Sequence, residues 1–223
     1  MAISPVSAAK KEHPIPDLTK GEKPFEETGF NVGPTGFRGW VYRKGTSSEK
    51  SRQILVKAVD SGSPADGVLH VGDVILGADG SGRARSPAPF SSDARRTIAD
   101  AITAAEARDP ATLRLLRFRE GKTDTVALRL ETLGAYADTA PYNCEKSRKI
   151  LEQGLKAFYQ TNEPGTWQLG ALVLMAADDP GIPGSDRYQA KAREWVRELI
   201  VPASGSSSIS VRSSGLMSAS KVR

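Results

Sequence analysis

The side chains best suited to catalysis are few in this 223-residue chain. Ser63, His70 and Asp73 supply the three residue types of a hydrolase triad within eleven positions. A triad needs these groups in one hydrogen-bonded line, and a turn followed by a strand would not bring them together. The chain also lacks the Gly-x-Ser-x-Gly turn that exposes a nucleophilic serine. The pattern therefore does not favour a hydrolase.

The chain also has few side chains that could bind a transition metal or take part in redox chemistry. Cys144 is the only cysteine, which excludes an internal disulfide and a Cys-x-x-Cys motif. It lies at an apparent helix start, where a lone cysteine is typically structural. His13 and His70 are the only histidines, and transition-metal sites usually need more imidazoles or thiolates. Phosphate-binding glycine motifs are absent as well. We expect no cofactor, no metal and no catalysis.

The charge distribution and the hydropathy of the chain limit the classes of partner that we expect. The 31 basic and 26 acidic side chains are mixed along the chain, and no five like charges are consecutive. This predicts no nucleic-acid partner. The longest apolar run, Leu169 to Ala177, is far shorter than the ~20 residues of a membrane-spanning helix. The segment Met1 to Lys11 lacks the apolar core of a signal peptide, so the compartment is left open.

Between residues 30 and 131, the residue pattern predicts strands on either side of one helix. A glycine-rich loop leads into an aromatic strand at Trp40, and two further apolar strands follow at Ile54 to Val59 and Asp73 to Ala78. Five apolar residues then recur at helical spacing: Ala94, Ile98, Ala101, Ile102 and Ala105. Two last strands flank Glu120-Gly121-Lys122, a hairpin signal. The class predicted is α+β.

Two of these strands resemble the middle of a PDZ domain. The residues that carry the resemblance are Gly62-Ser63-Pro64-Ala65 after the Ile54 strand, and Val71-Gly72-Asp73-Val74-Ile75-Leu76. The resemblance implies a partly open β-barrel with a flanking helix. It also implies a domain that binds peptides and performs no chemistry.

A longer part of the chain is similar to an uncharacterised bacterial family that joins one PDZ domain to a helical, toroid-like region. The matching motifs are Gly33-Pro34-Thr35-Gly36-x-Arg38-Gly39-Trp40, the Gly62 to Gly77 segment and Thr139-Ala140-Pro141-Tyr142-Asn143-Cys144. No activity comes with this resemblance. The family context suggests export.

Beyond residue 143 the apolar spacing becomes helical. We expect a small helical-hairpin region at 144–202, joined by a linker at 133–143 to a PDZ-like domain at 28–132. A Pro-rich lead-in at 1–27 and a Ser-rich tail at 203–223 are expected to be disordered. The run Leu169 to Met175 is apolar on more than one helix face, so it must be covered on both sides or lead to self-association.

The PDZ resemblance implies peptide binding by β-augmentation, in which an extended chain end pairs with the strand after the glycine loop. Loop amides would hold the terminal carboxylate of a partner protein or peptide. Trp40 would form the floor of a side-chain pocket, with Ile98 and Ile102 on the opposite wall. The expected peptide-binding residues are Phe37, Arg38, Gly39, Trp40, Val41, Arg95, Ile98 and Ile102.

Two other functions stay open. The domain could be a structural interaction domain whose groove is filled by its own Pro-rich arm or third helix. The chain could also be the non-catalytic N-terminal part of a larger helical-toroid enzyme. An open space beside the Trp40 strand favours peptide binding, and an occupied one favours the structural role.

Overall fold

The computed structural model describes residues 14–26, 28–79, 86–161, 167–177, 182 and 184–204. The chain divides into two compact units, residues 1–137 and residues 138–223. We call them the sheet unit and the helical unit. The division lies within the predicted linker at 133–143.

The described part of the sheet unit contains seven strands and one α-helix. The strands are β1 (Phe30–Asn31), β2 (Phe37–Trp40), β3 (Ile54–Val59), β4 (Val74–Ala78), β5 (Ala88–Pro89), β6 (Thr112–Arg119) and β7 (Lys122–Arg129), and α1 (Ala94–Glu106) lies between β5 and β6. All pairings are antiparallel, in the order β1-β2-β3-β4-β6-β7, with β5 paired to β4. The sheet is not closed among the described residues. The predicted α+β class is confirmed.

Alternating side chains give the sheet an inner and an outer face. In β3, Ile54 and Val56 point into a large inner core, whereas Leu55 contacts an outer cluster. Helix α1 packs against β4 and β6 on the inner side. Its five predicted apolar positions are all buried, as the helical spacing required. Asp93 caps this helix by accepting a hydrogen bond from the Arg95 N–H.

The outer face is covered by an N-terminal arm, residues 14–25. Leu18 is buried there with Trp40 and Tyr42, and Ile15 and Phe25 pack against the same cluster. This differs from the disordered lead-in expected for residues 1–27, of which 1–13 and 27 lie outside the described residues. The physical reason is that the outer face carries large apolar side chains, and burying each stabilises the fold by about 1.5–3 kcal/mol.

The β6–β7 hairpin matches its sequence signal. Its two loop residues, Glu120 and Gly121, both have positive φ, 49° and 79°. This is the backbone that a two-residue hairpin turn requires, and glycine adopts it without strain. The pairing runs from Arg119 opposite Lys122 to Thr112 opposite Arg129 with no register shift.

The helical unit has three described helices, α2 (Glu145–Gln160), α3 (Trp167–Met175) and α4 (Ser185–Ser204). Their shared core consists of Leu155, Ala171, Leu174, Ala177, Tyr188, Ala192 and Trp195. Gln189 joins α4 to α3 by donating from Nε2 to the carbonyls of Leu174 and Met175, both at 3.0 Å. The predicted tail begins inside α4, and residues 205–223 lie outside the described residues. None of the described helices is both long and apolar enough to cross a membrane.

Candidate peptide-binding groove

The glycine loop and the Gly62-Ser63-Pro64-Ala65 turn pack directly against each other. The Ala65 N–H donates to the Thr35 carbonyl at 3.0 Å, and the Asp60 N–H donates to the Gly36 carbonyl at 2.8 Å. A Cβ on Gly36 would lie 2.0 Å from Ser63 Cβ, and Gly36 has a φ of 75°. Only glycine satisfies both the backbone angle and this approach. The turn therefore fixes the shape of the loop that precedes β2.

The loop uses its own amides internally. The Gly36 N–H donates to the Gly33 carbonyl at 3.4 Å, and the Phe37 N–H lies 3.5 Å from Thr35 Oγ1. The Thr35 hydroxyl in turn donates to the Val32 carbonyl at 2.8 Å. An anion nest needs successive N–H groups that point together at the ligand. In this conformation, the amides of Gly36 and Phe37 point at protein acceptors instead.

Strand β2 is paired on both sides. On one side Phe30 lies opposite Gly39 and Asn31 opposite Arg38, and the Val32 N–H donates to the Phe37 carbonyl at 3.0 Å. In an antiparallel ladder the backbone groups of successive residues alternate in direction. The groups of Phe37 and Gly39 therefore point towards β1, while those of Arg38 point towards β3. The edge on which the sequence predicted a ligand is occupied by the chain's own β1, and an occupied edge is the arrangement that favours the structural role.

Gly39 forms a slot for an aromatic ring. A Cβ at this position would lie 3.4 Å from Phe30 Cε1 and Cζ, and 2.5 Å from Ile54 Cγ2. The Phe30 ring therefore covers the space that a side chain on residue 39 would fill. Aromatic side chains stabilise strand glycines in this way. A glycine between two bulky strand residues was the sequence signal for such a close approach.

The predicted site residues fall on two faces of the sheet. Phe37, Val41, Ile98 and Ile102 share the inner core. Trp40 lies in the outer cluster instead. Since side chains alternate along β2, Trp40 and the two isoleucines are separated by the sheet. The structure thus brings four of the predicted residues together in the core and does not place Trp40 opposite the α1 wall.

The two predicted arginines are exposed on the sheet unit. Arg38 is the exposed residue of β2 and lies between the buried residues Phe37 and Gly39. Arg95 donates from Nε and Nη2 to the Asp93 carboxylate at 3.2 and 2.9 Å. These bonds keep the pKa of Asp93 below its ordinary value despite partial burial. The guanidinium of Arg95 is therefore engaged with the helix cap.

The arm closes over an aromatic cluster on the outer face. The Phe25 ring stands edge-on to Trp40 at 5.8 Å and to Tyr42 at 6.0 Å between centroids. Trp40 is 2% exposed, and its Nε1–H has no acceptor among the described residues. A buried indole N–H usually finds an acceptor, so the arm covers this side chain without satisfying it.

A polar network built on Gln53 anchors the arm. Gln53 accepts from the Leu18 N–H at 2.7 Å and donates from Nε2 to the Asp17 carboxylate at 3.2 Å. Thr19 donates from its hydroxyl to the same carboxylate at 2.7 Å. The Thr19 bond is the largest cause of the lowered pKa of Asp17, with Gln53 adding to it against the effect of burial. The arm is therefore fixed by charge-assisted bonds as well as by apolar contact.

Two of the three triad-type residues, Asp73 and Ser63, make contacts that hold the fold. Asp73 accepts from Arg119 Nε and Nη2 at 2.6 and 2.7 Å, and from the His70 N–H at 2.8 Å. Burial raises the pKa of Asp73, but these bonds outweigh it and hold the pKa below its ordinary value. Ser63 Oγ lies 3.4 Å from the Gly36 carbonyl. The carboxylate is thus committed to an ion pair that ties β4 to β6.

Comparison of the chain with protein-family models gives no match, and comparison with curated proteins gives none either. Within the described ranges, no three His, Cys, Asp or Glu side chains are grouped as metal ligands.

Proposed function

We propose that the sheet unit is a PDZ-like protein-interaction domain that receives an extended segment along β2. In this proposal the chain's own residues 28–32 act as an internal ligand, and a partner binds when they are released. The order of strands around α1 and the contact between the glycine loop and the Ser63 turn support the PDZ-like assignment, including a partly open barrel. The domain performs no catalysis.

The observation that carries the proposal is the pairing of β1 with β2. The outward backbone groups of Phe37 and Gly39 accept a short antiparallel strand, which is the geometry of β-augmentation. Specificity would come from the Gly39 slot, which suits an aromatic side chain such as Phe30. The preferred partner is therefore an extended segment with an aromatic residue opposite Gly39.

The internal strand is short enough to be displaced. Alternation from the Val32–Phe37 bond gives about three backbone hydrogen bonds between β1 and β2. At about 1 kcal/mol each, their release costs about 3 kcal/mol. A competing segment would then bind on the order of 100-fold more weakly than to an open edge.

Recognition of a peptide's terminal carboxylate has less support than pairing of the peptide with strand β2. Since the amides of Gly36 and Phe37 are used within the loop, we propose that an internal segment binds as well as a chain end. Identical peptides with free and amidated ends separate these two modes. A strong preference for the free end would restore recognition of chain termini and overturn this part of the proposal.

The test is calorimetric titration of the full chain with an amidated peptide that copies residues 26–33. The Phe30→Ala variant loosens β1, because it removes the ring that covers Gly39. We expect it to bind the peptide roughly tenfold or more tightly than the unmodified chain does. Asn31→Ala is the matched control, since Asn31 is exposed and its backbone groups point away from β2. It should bind like the unmodified chain.

Two readouts separate local opening from unfolding. Hydrogen exchange at the Gly39 amide should accelerate in Phe30→Ala, while the Val56 amide, which donates to the Asp73 carbonyl, should stay protected. A peptide with alanine in place of its phenylalanine should not bind. The Gly39 amide could exchange faster in Phe30→Ala while neither the unmodified chain nor the variant binds the peptide. In that case the domain has a purely structural role and the proposal fails.

For the helical unit we propose an αα-hairpin formed by α3 and α4. The Gln189 bonds to α3 and the approach of Gly170 to Trp195 support it. Self-association through this unit and its continuation into a larger helical region stay predictions. Leu169, Leu172 and Met175 lie exposed at three-residue intervals on α3, where such contacts would form.

A further inference from the structure

The arm and strand β1 are consecutive parts of one segment that passes around β2. Phe25, the last residue of the arm, packs in the outer cluster with Trp40, whereas Phe30 of β1 packs against the inner core and covers Gly39. Trp40 and Gly39 are neighbours in β2. Residues 26–29 connect the two phenylalanines, and the extended chain between them reaches at most about 18 Å. The N-terminal end of β1 therefore stays close to β2 while the arm is docked.

The connection between the arm and β1 also contacts β2 and its continuation. Arg43, which follows β2, donates from Nη2 to Thr28 Oγ1 at 2.6 Å, and its Nε lies 3.8 Å from a Glu26 carboxylate oxygen. This ion pair is exposed, so it contributes little alone. A Cβ on Gly29 would lie 3.0 Å from the Gly39 carbonyl oxygen, so the two backbones approach closely there. The contacts of the arm are thus continued by those of β1.

The arm itself is docked by few contacts. Its regular structure among the described residues is one 3₁₀ turn, Leu18–Lys20, and none of its described residues pairs with a strand of the sheet. A cleft of about 400 Å³ is lined by this turn and by the sheet residues Val74 and Phe118. The arm also leaves the Trp40 Nε1–H without an acceptor. Weakly packed segments of this kind open locally before the rest of a domain unfolds.

We propose that the docked arm controls access to the β2 edge, an inference that rests on the proposed function. With the arm docked, residues 26–32 form a short loop held at both ends, so β1 competes with a partner at a high effective concentration. With the arm released, β1 is attached at its C-terminal end alone. Opening it then gains the conformational entropy that a closed loop withholds. A partner segment binds more tightly in that state although none of its own contacts change.

The test compares two substitutions within the arm of the full chain. Leu18→Ala removes the buried side chain that seats the arm, and Lys23→Ala changes an exposed position as the matched control. In calorimetric titration we expect Leu18→Ala to bind the amidated peptide of residues 26–33 roughly tenfold more tightly than Lys23→Ala does. Hydrogen exchange should accelerate at the amides of residue 18 and Gly39. The Val56 amide, which reports unfolding of the core, should stay protected.

A second pair of variants changes the polar anchor of the arm without changing side-chain volume. Gln53→Glu places a carboxylate where Nε2 now donates to the Asp17 carboxylate at 3.2 Å. The two charges repel each other, so the arm should be released and the peptide should bind more tightly. Adding Asp17→Asn removes one of these charges. It should return the peptide affinity and the exchange of Gly39 towards those of the unmodified chain, a rescue that general destabilisation would not show.

Hydrogen exchange distinguishes failure of this coupling from failure of the proposed function. Faster exchange at residue 18 in Leu18→Ala, with Gly39 and peptide binding as in Lys23→Ala, would mean that the arm and β1 open independently. The inference is then overturned, even if Phe30→Ala binds the peptide. Alternatively, Gly39 could open together with the arm while no variant, including Phe30→Ala, binds the peptide. That result supports the coupling between the arm and β1, and it is the proposed function that fails.

Discussion

The two units use charged groups in opposite ways. In the sheet unit, ion pairs and polar bonds join segments far apart in sequence, as between Arg119 and Asp73 or Gln53 and Asp17. In the described helical unit, the ion pairs of Arg148 and Lys191 stay within one helix each, with Glu145 60% and Glu194 59% exposed. The sheet unit is therefore held by specific long-range links. The helical unit is held mainly by the apolar core that its helices share, which we call the apolar seam (Leu155, Ala171, Leu174, Ala177, Tyr188, Ala192 and Trp195).

The largest effect is expected where two distant segments of the sheet unit touch. In Gly36→Ala the new Cβ would meet Ser63 Cβ at 2.0 Å, with φ at 75°. Left-handed backbone costs about 1–2 kcal/mol in a non-glycine residue, and the clash adds to it. We expect urea denaturation to show a loss of about 3 kcal/mol or more. Gly33→Ala, at φ 60° with open space around it, should lose only the backbone part.

Next in size is the buried carboxylate of Asp73. Asp73→Asn removes the charge that accepts two bonds from Arg119, and such charge-assisted bonds contribute about 1.5–3 kcal/mol. We expect the free energy of unfolding of the sheet unit to fall by about 2–3 kcal/mol. In contrast, Arg148→Ala in the helical unit should change stability little, because its partners are exposed and local. Equal losses in the two variants would contradict the comparison.

A smaller effect tests the apolar seam of the helical unit. A Cβ on Gly170 would lie 2.7 Å from Trp195 Cζ3 and 3.3 Å from Phe158 Cδ1. We expect Gly170→Ala to destabilise this unit by about 1–2 kcal/mol through overpacking. Gly154→Ala, in α2 with nothing within 4 Å, should stabilise it by about 0.5–1 kcal/mol. Hydrogen exchange of α4 amides measures both, and stabilisation by both variants would argue against a tight seam.

The smallest effect concerns the arm and pH. The pKa of Asp17 is lowered in the folded chain, chiefly by the Thr19 hydroxyl. Its stabilisation is therefore complete above the ordinary carboxyl pKa and is lost as the pH falls through the lowered value. We expect the protection factor of the Leu18 amide, which is bonded to Gln53, to fall in acid when its exchange rate is compared with the intrinsic rate at the same pH. In Asp17→Asn the acid-induced change should be absent, and its persistence would assign the effect to another group.

Local patterns were sufficient for much of the sheet unit. The apolar spacing from Ala94 to Ala105 predicted the buried face of α1, and Glu120-Gly121 predicted the hairpin turn. Val126, Leu128 and Leu130 alternate with Ala127 and Arg129, which is the spacing of a strand with one inner face, and all three pack into the inner core. These features depend on residues that are neighbours in the chain, so the sequence contains the information directly.

The occupant of the β2 edge depends on distant residues and was harder to predict. Composition marked residues 1–27 as polar and Pro-rich, yet three apolar residues of this segment, Ile15, Leu18 and Phe25, pack in the outer cluster. Two-residue strands such as β1 carry almost no periodicity. The position of Trp40 depended on the phase of β2, and a one-residue error moves a side chain to the other face of the sheet.

The burial of the Trp40 indole means that its fluorescence reports whether the arm is in place. A tryptophan sealed from water emits at shorter wavelength than a hydrated one, so lifting the arm should shift the fluorescence to the red. Because the other two tryptophans, Trp167 and Trp195, belong to the helical unit, the shift can be assigned by difference against Trp40→Phe. Release of the arm can thus be followed in solution without attaching a dye.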